Sequence, residues 1–327
     1  TWYSEKSRWD LSPGYARNNL RFERRVVDAC VNCHSGRLSV DREVTNHFHS
    51  PPFLEEQIGC ERCHGPGGKH IDYHRRQPTS NESDPIVNPE RLVPHLRDAV
   101  CNQCHLQSEE RILRYGRTEY DFRPGDSLND IWTIFARDSE PGSSASNKAV
   151  SQTLQIMASR CYQKSSGRLG CIACHDPHAS PAPEDRVEYY RSKCNSCHGQ
   201  GAPHCVQPAD ERRQLSGEDS CIDCHMPRLA ASDVPHTSQT DHRIPRKPST
   251  TPIIDTRESR LTVFAADEAD VPEWERQRAR GLVMAKFATD EKNGVLAKQA
   301  STILEAVRQS IPNDIPVLLE IGTCYSL

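Results

Sequence analysis

The chain has 327 residues, of which 35% are hydrophobic, 6% aromatic and 26% charged, with a net charge of −4 and a mean hydropathy of −0.74. That composition is too polar for an ordinary apolar core at this length, and no apolar run is long enough to span a bilayer. The acidic balance argues against nucleic acid as a partner.

In chain order, Thr1 to Trp9 reads like the middle of a domain, so the precursor is expected to have lost a leader or more at its N-terminus. One pentapeptide then recurs six times: Cys30-Val-Asn-Cys33-His34, Cys60-Glu-Arg-Cys63-His64, Cys101-Asn-Gln-Cys104-His105, Cys171-Ile-Ala-Cys174-His175, Cys194-Asn-Ser-Cys197-His198 and Cys221-Ile-Asp-Cys224-His225. Cysteines three apart share one side of a helical turn, so both sulfurs can form thioethers to the vinyl groups of one haem. The histidine that follows is then offered to the iron as proximal ligand. Zinc ribbons and dithiol redox centres also use Cys-x-x-Cys, but neither needs a histidine directly after it in every copy. No Cys-x-x-Cys-Lys occurs. The cofactor reading is six haem c groups, which bring the oxidised holoprotein to a charge of about −10. They also supply the apolar interior that the polypeptide lacks, so the apo-protein is expected not to fold. Prolines and glycines, 23 and 17 of them, suit a wrapping of loops and short helices.

The motifs form two triads, 30–105 and 171–225, around an insert at 106–170 that holds Tyr115, Tyr120, Phe122, Trp132 and Phe135. Within the insert Arg123-Pro-Gly reads as a turn and Ser127 to Arg137 as a short amphipathic helix packing over haem edges. Met157 reads as a core side chain rather than a thioether ligand. Cys161 and Cys205 are spare cysteines in an oxidising compartment and could form a disulfide. The basic runs at Arg21 to Arg25 and Arg243 to Lys247 either neutralise propionates or form solvated faces.

Beyond the last motif, residues 226–258 are rich in Pro, Ser, Thr and basic residues and read as surface-wrapped linker. Helices are predicted near 272–288, 292–310 and 315–327. Ala300, Leu304, Val307 and Pro312 match the second helix of a tetratricopeptide repeat (TPR), and Leu318, Ile321, Gly322 and Tyr325 match the first helix of the next. Both sets keep one 34-residue register, which makes the segment similar to the tetratricopeptide family. Cys324 is expected to pack between these helices, and further repeats are expected beyond Leu327. The domain reading is therefore a hexahaem domain at 1–240, a linker at 241–270 and the start of TPR-like repeats at 271–327. The fold class is mainly α with much irregular structure, a haem-packed cytochrome c domain followed by a helical solenoid.

Nine histidines lie outside the motifs and are candidates for sixth ligands. His178 follows His175 by three residues, a reach of about 10 Å, and cannot cross to the other face of the same haem. It should therefore serve a neighbouring haem, and the same argument applies to His70 after His64. The candidates, in order, are His70, His178, His242 and His236, then His49 or His47, then His74, His95 and His204.

Three stretches carry a family resemblance: Cys60-Glu-Arg-Cys63-His64-Gly-Pro-Gly-Gly-Lys-His70, Cys171-Ile-Ala-Cys174-His175-Asp-Pro-His178, and Cys221-Ile-Asp-Cys224-His225-Met-Pro with His236-Thr-Ser-Gln-Thr-Asp-His242. With them, residues 1–250 or so resemble multihaem cytochromes c related to the tetrahaem carriers and hydroxylamine-oxidising enzymes of nitrogen-cycle bacteria, some of which carry C-terminal tetratricopeptide repeats. The resemblance implies that such histidines are sixth ligands and that haems stack in close pairs. Members usually begin with further haem motifs upstream, and here the chain departs from them.

The expected function is electron transfer in the periplasm, at the cell surface or outside the cell, with the repeats docking a redox protein or further copies of the chain. Polymerisation into a cytochrome filament is one version of it. The alternative is an oxidoreductase acting on a small nitrogen or sulfur compound at one five-coordinate haem. A scaffold with purely structural haems is the reading that six cofactors disfavour most.

Overall fold

The computed structural model describes the chain apart from residues 16–18, 77–81, 107, 138–147, 150–151, 200–204, 217, 232, 235–237, 248–260 and 265–270. Thirteen α-helices and nine short strands are present among the described residues. In chain order they are β1 (Trp2–Tyr3), β2 (Arg8–Trp9), α1 (Asp28–His34), β3 (Leu38–Val40), β4 (Phe48–Phe53), α2 (Glu61–His64), α3 (Gly68–Arg75), α4 (Pro94–His105), β5 (Glu110–Leu113) and β6 (Trp132–Arg137). Then follow α5 (Gln152–Ala158), α6 (Arg160–Lys164), α7 (Cys171–Cys174), α8 (Arg186–His198), α9 (Ala209–Ser216), α10 (Cys221–His225), β7 (Arg228–Ala230), β8 (Ser238–Thr240), β9 (Leu261–Val263), α11 (Glu273–Glu291), α12 (Gly294–Ser310) and α13 (Ile315–Tyr325). The mainly helical character with much irregular chain agrees with the reading of the sequence.

The chain divides into two compact units that interleave along the sequence. Unit 1 holds Thr1–Val26, Gly59–Gln107 and Ser139–Glu258; unit 2 holds Val27–Ile58, Ser108–Asp138 and Ser259–Leu327. Five motifs therefore belong to unit 1, while Cys30, Cys33 and His34 on α1 belong to the unit that contains α11 to α13.

Unit 2 has a conventional core. Leu282, Ala285 and Ala288 of α11, Ala297, Ala300, Leu304 and Val307 of α12, and Val317, Ile321 and Cys324 of α13 form one buried cluster. Alanines at the crossings let the helices approach closely, and at Gly281 a Cβ would lie only 2.5 Å from Leu304 Cδ2. Helix α11 ends where Lys292 turns left-handed at φ 52°. Helix α12 restarts at once because the Asn293 side chain accepts from Leu296 N at 3.0 Å, satisfying a first-turn donor. Pro316 sits in the first turn of α13, where its missing N–H costs nothing. The guanidinium of Arg278, 4% exposed, pairs with Asp314 and donates to Leu113 O at 2.6 Å, so this charge pair ties α11 to α13 and to β5.

Against α11 lies an antiparallel sheet in the order β5-β6-β9, with Phe135 packed on Ala279 and Val283. Here the sequence reading needs correction. Ser127 to Arg137 is not a helix: a single 3-10 turn at Leu128–Asp130, closed by a Ser127–Asp130 capping box, leads into β6. Trp132 to Ala136 are all buried, so the run is a central strand with both faces covered, and the β-branched and aromatic Trp-Thr-Ile-Phe sequence fits that role better than a helix.

Unit 1 is built differently. Among the described residues its buried apolar side chains are Tyr3, Tyr73, Ala99, Val100, Leu106 and Leu229. The rest consists of short helices and two small hairpins, β1 with β2 and β7 with β8. Within 226–258, read as surface-wrapped linker, β7 and β8 form a hairpin, and within 241–270, given as the inter-domain linker, β9 is the third strand of the unit 2 sheet.

Candidate functional site

Each Cys-x-x-Cys-His motif occupies the last turn of a helix. The histidine is the final residue of α1, α2, α4, α8 and α10, and His175 is the C-cap of α7. A helix end suits this chemistry: the two cysteines share one side of the turn, and the chain leaves the helix directly after the histidine. Local hydrogen bonds fix the turns. His64 N donates to Cys60 O at 3.0 Å, His175 N to Cys171 O at 3.0 Å, and the Ser220 hydroxyl caps α10 by accepting from Asp223 N at 3.3 Å.

Within unit 1 the motifs adjoin one another in sequence order. Cys63 lies near enough to Cys101 to act on it electrostatically, and Cys101 is hydrogen-bonded to Cys171. Cys174 feels Cys197, and Cys194 is hydrogen-bonded to Cys221. The second to the sixth motif thus form an unbroken string of neighbours. The shared hydrogen bonds push the Cys171 and Cys194 thiols well up while lowering those of Cys101 and Cys221. Cys161 belongs to the group around Cys174 and Cys197, whereas Cys205 lies by Cys221 and Cys224. Cys161 and Cys205 are not bonded to each other in this structure, and they stand beside different motif cysteines. Cys324 packs in the helical core, as its sequence position suggested.

Two pairs of histidines face one another. The rings of His64 and His178 have centroids 5.9 Å apart and planes inclined by 7°; those of His175 and His242 are 6.2 Å apart at 26°. Centroid separations of this size lie within the range of offset-stacked rings. His64 and His175 are motif histidines, so His178 and His242 are the histidines outside the motifs that stand beside them and could be offered to a haem iron. Burial lowers the pKa of both His175 and His242, which favours the neutral imidazole with a lone pair to give.

The second nitrogen of several rings is already occupied. His64 Nδ1 donates to Val87 O at 2.8 Å, His225 Nδ1 to Pro245 O at 2.9 Å and His242 Nδ1 to Thr240 O at 2.7 Å. A carbonyl can only accept, so each ring carries its proton on Nδ1 and presents Nε2 to a metal. The backbone of His242 is held in turn by Gln155 Oε1, which accepts from His242 N at 2.8 Å. His70 Nδ1 lies 2.7 Å from Asp84 Oδ1, and His74 Nε2 lies 3.0 Å from Asp84 Oδ2. The hydrogen bond from His70 holds the Asp84 carboxyl below its usual range. In unit 2, His47 and His49 stand near β4, their rings edge to face at 6.2 Å, with His47 Nδ1 at 3.1 Å from Asp41. His95 is exposed at the start of α4. His236 and His204 lie outside the described residues.

The donors present fit covalent haem: paired sulfurs on one side of a turn, an imidazole after them, further imidazoles beside two of these, and a unit with few apolar side chains of its own. Sequence reasoning missed the groups that orient the histidines. Asp84 stands at no motif spacing, and backbone acceptors such as Val87, Pro245 and Thr240 leave no sequence signal at all.

Residues 12–65, which span the first two motifs, match the family model described as cytochrome c554 and c-prime. No curated protein and no solved structure matches the chain. The match supports a c-type cytochrome, the class of protein that carries covalently attached haem c and transfers electrons. No helix among the described residues is long and apolar enough to cross a membrane.

Proposed function

We propose that this chain is an exported electron conduit with six haem c groups. Haem c supplies a one-electron couple at its iron when bound. The twelve motif cysteines hold it by thioethers, and His34, His64, His105, His175, His198 and His225 are the proximal ligands. His178 and His242 are sixth ligands, facing His64 and His175 respectively. His70 is a further candidate, with its Nδ1 kept on Asp84 and its Nε2 free. The observation that carries the reading is the string of motif cysteines from Cys63 to Cys221, because electron transfer through protein needs cofactors in near contact. A relation to the hydroxylamine-oxidising group rests on the quoted motifs alone.

Functionally the chain divides into a haem-bearing part at 1–240 and TPR-like repeats from 271. The repeats dock a redox protein or another copy through α13, where Leu318, Leu319 and Tyr325 are exposed and the space above Gly322 is open. A periplasmic, cell-surface or extracellular location follows from the attachment chemistry, which in bacteria takes place after export.

Haem content and an EPR spectrum of the oxidised holoprotein test the reading together. Six haems, all low-spin, is the expected result. A stoichiometric high-spin haem would favour the oxidoreductase alternative, and fewer than six haems would sink the hexahaem assignment.

A further inference from the structure

A buried ion pair sits where the third and fourth motifs meet. Arg97 and Asp98 precede Cys101 on α4, and their side chains are 11% and 12% exposed. Arg97 Nε donates to Asp98 Oδ1 at 2.9 Å, and its Nη2 donates to Asp98 Oδ2 at 3.3 Å and to Gly167 O at 3.1 Å. The pair reaches across to the fourth motif as well. A Cβ on Gly170, the residue before Cys171, would lie 2.0 Å from Arg97 Nη2 and 2.5 Å from Asp98 Oδ1. Gly170 is therefore the one residue type that leaves room for the pair against the backbone leading into the motif. Cys101 and Cys171 adjoin each other at the same spot, close to the Asp98 carboxylate.

Nothing in the attachment chemistry calls for this pair. Thioether formation needs the two cysteines and ligation needs the histidine, and neither uses a guanidinium or a carboxylate. Removing two charges from water is costly, and a well-packed apolar pair of similar volume would serve stability as well or better. A fixed charge at low dielectric acts strongly on any neighbouring centre that changes its own charge by one unit.

We infer that Arg97 and Asp98 are positioning residues for electron transfer, an opposed pair of fixed charges that sets the relative reduction potentials of the haems held at Cys101–Cys104 and Cys171–Cys174. The inference rests on the haem reading above. Arg97 disfavours the ferric, more positive state of an adjacent haem and raises its potential, while Asp98 lowers it. A purely structural role would shift both haems arbitrarily, or not at all, and would be served equally by any side chains that fill the space.

The test is a spectroelectrochemical titration of the holoprotein and of Arg97→Gln, Asp98→Asn and Arg97→Lys, with haem content and EPR measured on each sample. Arg97→Gln should lower the potential of at least one haem by about 59 mV, a tenfold change in its one-electron equilibrium. Asp98→Asn should raise it, and Arg97→Lys, which keeps the charge, should stay close to the parent. If Arg97→Gln does not accumulate, the isosteric Asp98→Asn decides alone by the sign of its shift. Shifts of the same sign in the Gln and Asn variants, or none, with six low-spin haems retained, overturn the inference while leaving the conduit reading intact. A parent lacking haem at these two motifs overturns both.

Discussion

At the scale of single residues, the six motifs were fully legible because the chemistry demands contiguity: two sulfurs and an imidazole must come from one turn. The proposed sixth ligands were only partly legible. A reach argument separates His178 from its own motif, but it cannot say that His178 faces His64 at 5.9 Å, since that depends on how α2 and α7 are brought together. His242→Ala is expected to convert one low-spin haem to high-spin without lowering haem content, because the thioethers and His175 remain. An EPR spectrum identical to the parent's would remove His242 from the ligand set. A different residue carries a pH dependence. Burial raises the Glu119 carboxyl above its usual 4.5, opposed by the Trp132 Nε1–H donated to it at 2.9 Å. A raised folded-state pKa means that the carboxyl's contribution is complete below pH 4.5 and is lost as pH rises through the folded value. Glu119→Gln keeps an oxygen for Trp132 and cannot ionise, so it should stabilise β6 at neutral pH more than at acidic pH. Urea-dependent hydrogen exchange at the β6 amides at both pH values measures this, and an equal effect at each would count against it.

At the scale of elements, α11 to α13 were readable from the sequence because their apolar period is local; the structure closes α11 at a left-handed Lys292, caps α12 with Asn293 and opens α13 with a proline in its first turn. The strand β6 was not, because a short apolar run has no period that separates a buried strand from a buried helix. What decides is its position between β5 and β9, and β9 lies far along the chain in a stretch that read as linker. The small residues of the helical segment allow a sharper test. Gly281→Ala places a methyl carbon 2.5 Å from Cδ2 and 2.8 Å from Cγ of Leu304, which is fully buried and has nowhere to move. Such overpacking should destabilise the helices by about 1 to 3 kcal/mol. Gly322→Ala meets no heavy atom within 4 Å and should gain up to about 1 kcal/mol from helix propensity alone. Thermal unfolding followed by far-ultraviolet dichroism should order the variants as Gly281→Ala, parent, Gly322→Ala, and a neutral Gly281→Ala would mean that α11 and α12 do not meet there.

At the scale of the whole molecule, the composition gave warning that this polypeptide is short of apolar material, but not that the shortage is uneven. Unit 2 buries Phe122, Leu128, Ile131, Trp132, Ile134 and Phe135 along with the helical cluster, while the larger unit 1 buries six apolar side chains among its described residues. Conformational entropy opposes folding at every residue, so a unit with so little side-chain burial needs another source of apolar contact. Haem attached at five motifs would provide it. Replacing the cysteines of the unit 1 motifs with alanine should therefore unfold unit 1, while α11 to α13 and the β5-β6-β9 sheet keep their own core. The sequence reading expected the apo-protein as a whole not to fold; the distribution of buried side chains confines that expectation to one unit. Hydrogen exchange on the full chain separates the possibilities. Protection retained at α11, α12 and β6 but lost at α4 and α8 is the expected pattern. Uniform loss would tie unit 2 to the haems as well, and uniform retention would show that unit 1 holds together on contacts that the apolar ledger does not capture.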